Sequence, residues 1–161
     1  MLLSFVIPTY NVGGKIEMCL TSISRISLSK DDYEVIIIDD SSTDNTINEA
    51  EEFLSKNMLS YTILMQKKEG QASARNKGIK ISKGKYIWMV DSDDEIIPDP
   101  AIVEILIADS NAELITFNYE EVWSDHTSLQ YKYLKEHYLT GIEFLETAVG
   151  GSYLWNKICL L

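Results

Sequence analysis

The chain has 161 residues, of which 45% are hydrophobic and 24% charged, and its 25 acidic and 14 basic residues give a formal net charge of −11. This is the composition of a folded globular domain, so disordered and fibrous classes are excluded. The acidic excess repels a phosphate backbone, and no nucleic-acid partner is expected.

Short apolar runs alternate with segments of helical periodicity along the first two thirds of the chain. The predicted strands span residues 2–7, 34–38, 61–65 and 86–90, and the helices that follow them begin near Ile16, Ile47, Gly70 and Pro100. This alternation predicts an α/β domain in three layers, with a mainly parallel sheet between helices. Further along, a strand is predicted over residues 114–119 and a short helix over residues 140–149.

The two cysteines, Cys19 and Cys159, lack the spacing of a zinc site or a disulfide framework, which predicts a reducing, cytoplasmic setting. No apolar run reaches the roughly 18 residues of a transmembrane helix. Any association of the full-length protein with the inner face of a membrane is therefore expected to be peripheral.

Polar clusters follow three of the four predicted strands. They are Pro8 to Asn11 after the first strand, Asp39 to Ser42 after the second and Asp91 to Asp94 after the fourth. In open α/β sheets the carboxyl ends of the strands meet at one edge, where ligands bind. Their shared position predicts a binding site at this edge.

Asp91, Ser92 and Asp93 form an Asp-x-Asp sequence directly after the fourth strand. Two carboxylates one residue apart repel each other unless a cation or a proton lies between them. A hard divalent ion such as Mg²⁺ or Mn²⁺ prefers oxygen ligands of this kind and bridges to substrate phosphates. The tripeptide is common, and capping of a turn by Asp93 or Asp94 is an alternative interpretation.

Two other clusters have similar alternatives. Asp39 and Asp40 precede a predicted helix, so they either cap it or accept hydrogen bonds from a base or ribose. Seven of the 14 basic residues lie between Lys67 and Lys85. Arg75 in this segment is suited to bind an anionic or carbonyl group, and a solvated basic surface is the alternative.

Together and in this order, the motifs resemble those of the family-two glycosyltransferases, inverting enzymes with the GT-A nucleotide-diphospho-sugar transferase fold. The matching motifs are VIPTYN at residues 6–11, EVIIIDDSSTD at 34–44, GQASARNKG at 70–78 and DSDD at 91–94. The resemblance covers nearly the whole chain.

The resemblance implies a role for each motif. The implied nucleotide-binding residues are Pro8, Thr9, Tyr10, Asp39, Asp40, Arg75, Asp91 and Ser92. An aspartate of the Asp39–Asp40 pair would bind the base, Arg75 would lie over the base or diphosphate, and Asp91 would reach the ribose or sugar. Asp93, with Asp91, would hold Mn²⁺ or Mg²⁺, which would stabilise the leaving nucleoside diphosphate.

The resemblance also divides the chain. Residues 1–118 would form the donor-binding domain, and residues 119–161 would begin the acceptor-side region. An inverting transfer needs a general base to deprotonate the acceptor hydroxyl. In the family this acidic residue lies well downstream of the Asp-x-Asp sequence, so it is expected beyond Leu161 and the chain is expected to be incomplete.

Other residues are weaker candidates. Glu120 and Glu121 lie too early in the chain to be that base, and His126 and His137 have no partner at a catalytic spacing. The aromatic side chains could stack on a sugar or fill the edge of the core. They are Trp123, Tyr131, Tyr133, Tyr138 and Trp155.

The predicted function is inverting transfer of a sugar from a nucleoside-diphosphate donor to a hydroxyl of a saccharide or lipid-linked acceptor, in cell-surface polysaccharide or glycolipid synthesis. The donor is most often a UDP-sugar in this family.

A donor-binding fragment without activity is an alternative. A sugar nucleotidyltransferase would need a glycine-rich basic loop after the first strand, to which residues 8–15 have only a faint likeness. A phosphoacceptor regulatory domain would need an Asp after the third strand, where the chain has Met65 and Gln66.

Overall fold

Strands and helices alternate in the computed structural model, which describes residues 1–108, 113–116, 119–122, 128–131 and 157–160. The strands are β1 (Leu3–Thr9), β2 (Tyr33–Asp39), β3 (Tyr61–Met65), β4 (Tyr86–Met89), β5 (Leu114–Thr116), β6 (Tyr119–Val122), β7 (Ser128–Tyr131) and β8 (Lys157–Leu160). The helices are α1 (Ile16–Ser24), α2 (Thr46–Lys56), α3 (Gln71–Ile81) and α4 (Pro100–Ile107).

The main sheet has the strand order β3-β2-β1-β4-β8-β5. β1 pairs in parallel with β2 and β4, and β2 pairs in parallel with β3. β8 is antiparallel to both β4 and β5, and β6 and β7 form a separate antiparallel pair. The predicted α/β architecture with a mainly parallel sheet is confirmed.

β1 lies at the centre of the parallel part, and all seven of its residues are buried. Pro8 does not interrupt pairing with β2, because backbone groups of alternate residues face alternate neighbours. Thr9 faces β2 and accepts from the N–H of Asp40, so Pro8 faces the β4 side, where pairing ends at Val6 opposite Met89. The strand can therefore run to Thr9, one residue past the proline, and deliver Tyr10 to the carboxyl edge of the sheet.

Successive side chains of a strand point to opposite faces of the sheet, and each face carries one apolar cluster. On one face, Phe5 and Ile7 of β1 pack with α1, α2 and α4, including Leu20, Leu54 and Val103. The other face is a smaller cluster. Its buried members are Val6, Ile36, Ile38, Ala74 and Ile87. These two clusters place helices on both sides of the sheet, which gives the three layers.

β8 has no counterpart among the strands expected from the sequence. It inserts between β4 and β5, where Ile158 is buried opposite Trp88 and Ile115. Residues from both sides of the predicted boundary at 118 thus share one sheet, and the division into two regions stays a prediction. The helix expected over residues 140–149 lies outside the described residues.

α3 packs closely against the sheet at Gly78. A Cβ atom built on Gly78 would lie 2.3 Å from Cγ1 of Val6, a separation shorter than any real carbon–carbon contact. Both residues are buried. The absent side chain therefore sets the distance at which the helix carrying Arg75 packs on β1.

We predict that Gly78→Ala destabilises the chain. Alanine favours an exposed helix by about 1 kcal/mol over glycine, but overpacking a buried contact costs about 1–3 kcal/mol. The net loss is measured as the free energy of unfolding in urea, with the exposed Asn76→Ala in the same helix as the control.

A double-mutant cycle identifies the cause. Val6→Ala removes the clashing methyl groups, so Val6→Ala/Gly78→Ala is expected to be more stable than the sum of the single losses by about 1 kcal/mol. Additive losses would show that the contact between Gly78 and Val6 does not set the helix position.

Candidate functional site

The carboxyl ends of β1 to β4 lie along one edge of the sheet and carry the polar clusters expected from the sequence. Side-chain contacts join these clusters directly. Thr9 bonds to Asp39, Asp40 bonds to the segment after β3, and Arg75 bonds to Asp91. Segments separated by up to 82 positions, from Thr9 to Asp91, thus form one surface.

Asp39 is fully buried at the end of β2 and organises the loop that follows it. Its Oδ1 accepts hydrogen bonds from Thr9 Oγ1, at 3.1 Å, and from Ser42 Oγ. Its Oδ2 accepts from the backbone N–H of Ser42 at 2.9 Å. Both oxygens are engaged within the protein, where they fix the loop after β2; Asp39 does not cap α2, which begins at Thr46, and a role in binding the donor stays a prediction.

Asp40 connects β2 to the segment that leads into α3. It accepts hydrogen bonds from Gln66 Nε2 at 2.8 Å, from the N–H of Glu69 at 2.7 Å and from the N–H of Gly70 at 3.0 Å. Gln66 foremost, then the two N–H groups, hold the pKa of the Asp40 carboxyl below its ordinary value. Gly70 has a φ of 85°, a backbone conformation that strongly favours glycine, and begins α3 from there. The carboxylate of Asp40 therefore fixes where α3 starts.

Arg75 extends from α3 to the end of β4. Its guanidinium forms an ion pair with Asp91 Oδ1 and donates to Gln71 Oε1 at 3.0 Å, and both ion-pair partners are largely buried, with side-chain exposures of 16% and 25%. Its Nε is buried and has no hydrogen-bond partner among the described residues. Asp91 thus holds the guanidinium of Arg75 at the site through Oδ1. Oδ2 of Asp91 takes no part in the contact with Arg75.

The loop after β4 makes a tight turn that gathers carboxylates. The N–H of Asp94 donates to the carbonyl of Asp91 at 3.0 Å, while Ser92 is buried and Asp93 and Asp94 are exposed. Partial desolvation, followed by repulsion from Asp91 and Asp93, raises the pKa of Asp94 to about 6. This loop is therefore a region of negative potential that a cation would relieve.

The donor set of this loop fits a hard divalent cation, because it offers carboxylate oxygens. No three Asp, Glu, His or Cys side chains converge into a complete metal site within the part of the chain that the structure describes. A metal held here would need further ligands from substrate phosphates and water, as Mg²⁺ commonly has.

Pro8, Thr9 and Tyr10 differ in what they can contact. Pro8 and Thr9 are buried within β1, whereas Tyr10 is 45% exposed beyond its end. Lys68 Nζ lies 5.1 Å from the centroid of the Tyr10 ring, a cation–π contact. Of the three, Tyr10 alone presents a large exposed side chain to a ligand.

The loops after β1 and β2 are held together by side chains that bond to backbone groups. Asn11 N–H donates to Ser42 Oγ at 2.9 Å, and Thr43 N–H donates back to Asn11 Oδ1 at 2.8 Å. Asp44 Oδ2 accepts from the N–H of Gly13 at 2.9 Å. These reciprocal bonds fix the segment that carries Tyr10.

Gln66 and Gln71 were missed by the sequence analysis. Gln66 is buried beside Asp40, and Gln71 links Arg75 to Asp91, with Nε2 at 3.5 Å from Asp91 Oδ1. The position of Gln66 directly after β3 was a usable signal, because polar residues follow β1, β2 and β4 in the same way. For Gln71 the signal was its position in the GQASARNKG motif at residues 70–78.

Glu120 and Glu121 lie in β6, in the separate two-stranded sheet, and the contacts of their side chains are not described. His126, His137, Trp123, Tyr133, Tyr138 and Trp155 lie outside the described residues. Their suggested roles stay untested.

Comparison with known proteins places this site in a family. The family described as "Glycosyl transferase family 2" matches residues 4–146, most of the chain. The putative glycosyltransferase EpsH of Bacillus subtilis is 31% identical over 163 residues, covering 96% of this chain and 46% of EpsH. The poly(ribitol-phosphate) β-N-acetylglucosaminyltransferase TarS of Staphylococcus aureus is 34% identical over 96 residues, covering 60% of this chain and 17% of TarS. The chain thus spans less than half the length of these relatives.

Solved structures agree with the fold. The crystal structure of S. aureus TarS 1–349 in complex with UDP-GlcNAc has a TM-score of 0.64 and 28% identity, covering 71% of this chain and 33% of that one. The mannosyltransferase PcManGT from Pyrobaculum calidifontis, in complex with GDP-Man and Mn²⁺, has a TM-score of 0.64, covering 71% of this chain and 34% of that one. At 23% identity, the second shows the fold alone. With the family matched along most of its length and the αβα architecture shared with these enzymes, the chain belongs to glycosyl transferase family 2.

Proposed function

We propose that the chain binds a nucleoside-diphosphate sugar at the carboxyl edge of its parallel sheet, and that the protein transfers the sugar, with inversion, to an acceptor hydroxyl. The observation that carries this proposal is the meeting of Tyr10, Asp40, Arg75 and Asp91 at that edge from four separate segments. An aromatic ring, a guanidinium and carboxylates are the groups that a base, a diphosphate and a bridging metal require.

The contacts suggest which residues would bind the donor and which would hold the loops around it. Tyr10 would pack against the base, and Asp39 and Asp40 would fix the loops around it, because their oxygens are engaged by Thr9, Ser42, Gln66 and backbone N–H groups. The guanidinium of Arg75 would face the diphosphate. Asp91 would contact the ribose, sugar or metal through Oδ2, since Oδ1 bonds to Arg75.

Asp93 and Asp91 would hold Mn²⁺ or Mg²⁺, with Ser92 buried between them to fix the turn. The metal would supply positive charge to the leaving diphosphate. The ion pair between Arg75 and Asp91 keeps a second positive group in place before the donor arrives, so little reorganisation is needed at the moment of transfer.

A UDP-sugar is the donor that we favour. The support is the TarS structure, which contains UDP-GlcNAc and shares 28% identity and the same fold with this chain. TarS is named for transfer to poly(ribitol-phosphate). By analogy, the acceptor of this protein would be a saccharide or a lipid-linked precursor of a cell-surface polymer.

We further propose that the protein acts in the cytoplasm, at or near the inner face of the membrane, where nucleotide sugars and lipid-linked acceptors meet. None of the helices within the described ranges is long and apolar enough to cross a bilayer.

We predict that UDP binds the chain more tightly with Mn²⁺ than without it, and that Asp93→Asn abolishes this difference. The substitution preserves the shape of the side chain but removes the charge that attracts a cation. Calorimetric titration with UDP, GDP and CDP, each with and without Mn²⁺, measures both the metal dependence and the preference for a base.

Glu51→Gln is the matched control, since it removes one exposed negative charge from α2. It should retain the full metal dependence. If no nucleoside diphosphate binds in a metal-dependent way, the site assignment is wrong, and an unchanged metal effect in Asp93→Asn would remove Asp93 from it.

We predict a pH-dependent stability contribution from Asp40. Its pKa is lowered in the folded chain, so its stabilisation is complete above the ordinary range near pH 4 and is lost as the pH falls through the lowered value. Asp40→Asn should be less stable than the parent at pH 7, and the gap should narrow toward pH 3. Urea unfolding at several pH values measures it, and a gap that stays constant with pH would show that the charge is not what holds the loop.

A further inference from the structure

The loop after β4 that carries Asp91 and Asp93, here called the acidic loop (residues 91–96), is attached to helix α1 by contacts at its two ends. At its start, Cys19 Sγ lies 3.7 Å from the carbonyl oxygen of Asp91. At its end, the N–H of Ile96 donates to Ser22 Oγ at 2.9 Å. Helix α1 therefore contacts the loop on both sides of the exposed carboxylates.

Ser22 is an unusual residue at its position. It is 3% exposed, inside a nine-residue helix whose buried neighbours are apolar, and a buried hydroxyl without partners is unfavourable. Its hydroxyl has partners on both sides, because it accepts from Ile96 and donates to the carbonyl of Cys19 at 2.7 Å. The polar side chain is thus used to hold the acidic loop.

The loop needs this attachment because electrostatic repulsion between its carboxyl groups opposes the closed turn. Asp91, Asp93, Asp94 and Glu95 place four carboxyl groups on five consecutive residues. Arg75 pairs with Asp91, but repulsion among the carboxyl groups favours an open loop when no metal ion is present. Within the turn, the backbone hydrogen bond from Asp94 N–H to the carbonyl of Asp91 resists this opening.

We propose that Ser22 and Cys19 are positioning residues, which hold the acidic loop in the conformation that binds the metal–diphosphate group. This inference rests on the function proposed above and goes beyond it. It makes two residues of α1 responsible for the geometry of the metal-binding turn. Neither side chain would contact the donor. Both act through the backbone of Asp91 and Ile96.

The test compares Ser22→Ala with Ser24→Ala. Ser24 lies in the same helix and makes the same kind of bond, from Oγ to the carbonyl of Thr21 at 2.8 Å, and among the described residues this bond does not involve the acidic loop. The measured quantity is the ratio of the UDP dissociation constants without and with Mn²⁺. We expect Ser22→Ala to reduce this ratio about tenfold, in the range found when groups behind metal ligands are removed.

Three results have distinct meanings. Reduction of the Mn²⁺ effect in Ser22→Ala, with unchanged metal-free UDP affinity and a normal Ser24→Ala, supports the inference. An unchanged Mn²⁺ effect, or equal losses of affinity with and without Mn²⁺, overturns it, since a merely structural role would not single out the metal. Absence of a Mn²⁺ effect in the parent chain refutes the proposed function itself.

Cys19→Ala provides a second variant should Ser22→Ala not fold. It removes the Sγ contact at the other end of the loop without adding volume. Because that contact is weak, we expect a reduction of the Mn²⁺ effect by about threefold. Titration of Mn²⁺ by electron paramagnetic resonance, with the protein in excess over UDP, reports binding of the metal directly, and parent-like Mn²⁺ affinity in both variants would contradict the proposal.

Discussion

The arrangement of the site depends on carboxylates that accept backbone N–H groups from neighbouring loops. Asp40 accepts from Glu69 and Gly70 and so joins β2 to the start of α3. Asp44 accepts the N–H of Gly13 from the loop after β1 in the same way, and Asp39 accepts the N–H of Ser42 within its own loop. A charged acceptor makes a stronger hydrogen bond than a neutral one, and such bonds fix loops that have little apolar surface to bury. Together with the packing of Gly78 on Val6, they fix the position of α3, and so of Arg75, relative to Asp91.

These bonds also reconcile a strongly acidic chain with an anionic ligand. A net charge of −11 repels a diphosphate at long range. At the site itself, Asp39, Asp40 and Asp44 are occupied by N–H and O–H donors, and Asp91 is paired with Arg75. The exposed carboxylates that remain, on the acidic loop, are suited to a divalent cation. Global charge is thus a poor guide to what this edge of the sheet can bind.

Much of this organisation is encoded locally. Periodicity alone indicates the four βα units, and polar residues at strand ends indicate the ligand edge, because parallel strands align their carboxyl ends. What the sequence could not reveal depends on distant partners. β8 is recognisable only when paired with β4 and β5, and Ser22 resembles any helical serine until Ile96 is placed against it. The sequence alone is equally consistent with Asp39 and Asp40 as caps and as ligands of the donor. Only the structure shows that Thr9 bonds to Asp39 and Gln66 bonds to Asp40.

The central claim, that this edge binds a nucleoside diphosphate through a metal on the acidic loop, is tested most directly by a crystal structure with UDP and Mn²⁺, recorded at the manganese absorption edge. The account predicts one anomalous peak bonded to a carboxylate oxygen of Asp93, bridged to the diphosphate, with the base against Tyr10. A manganese peak away from residues 91–94, or UDP bound elsewhere on the chain, would contradict it.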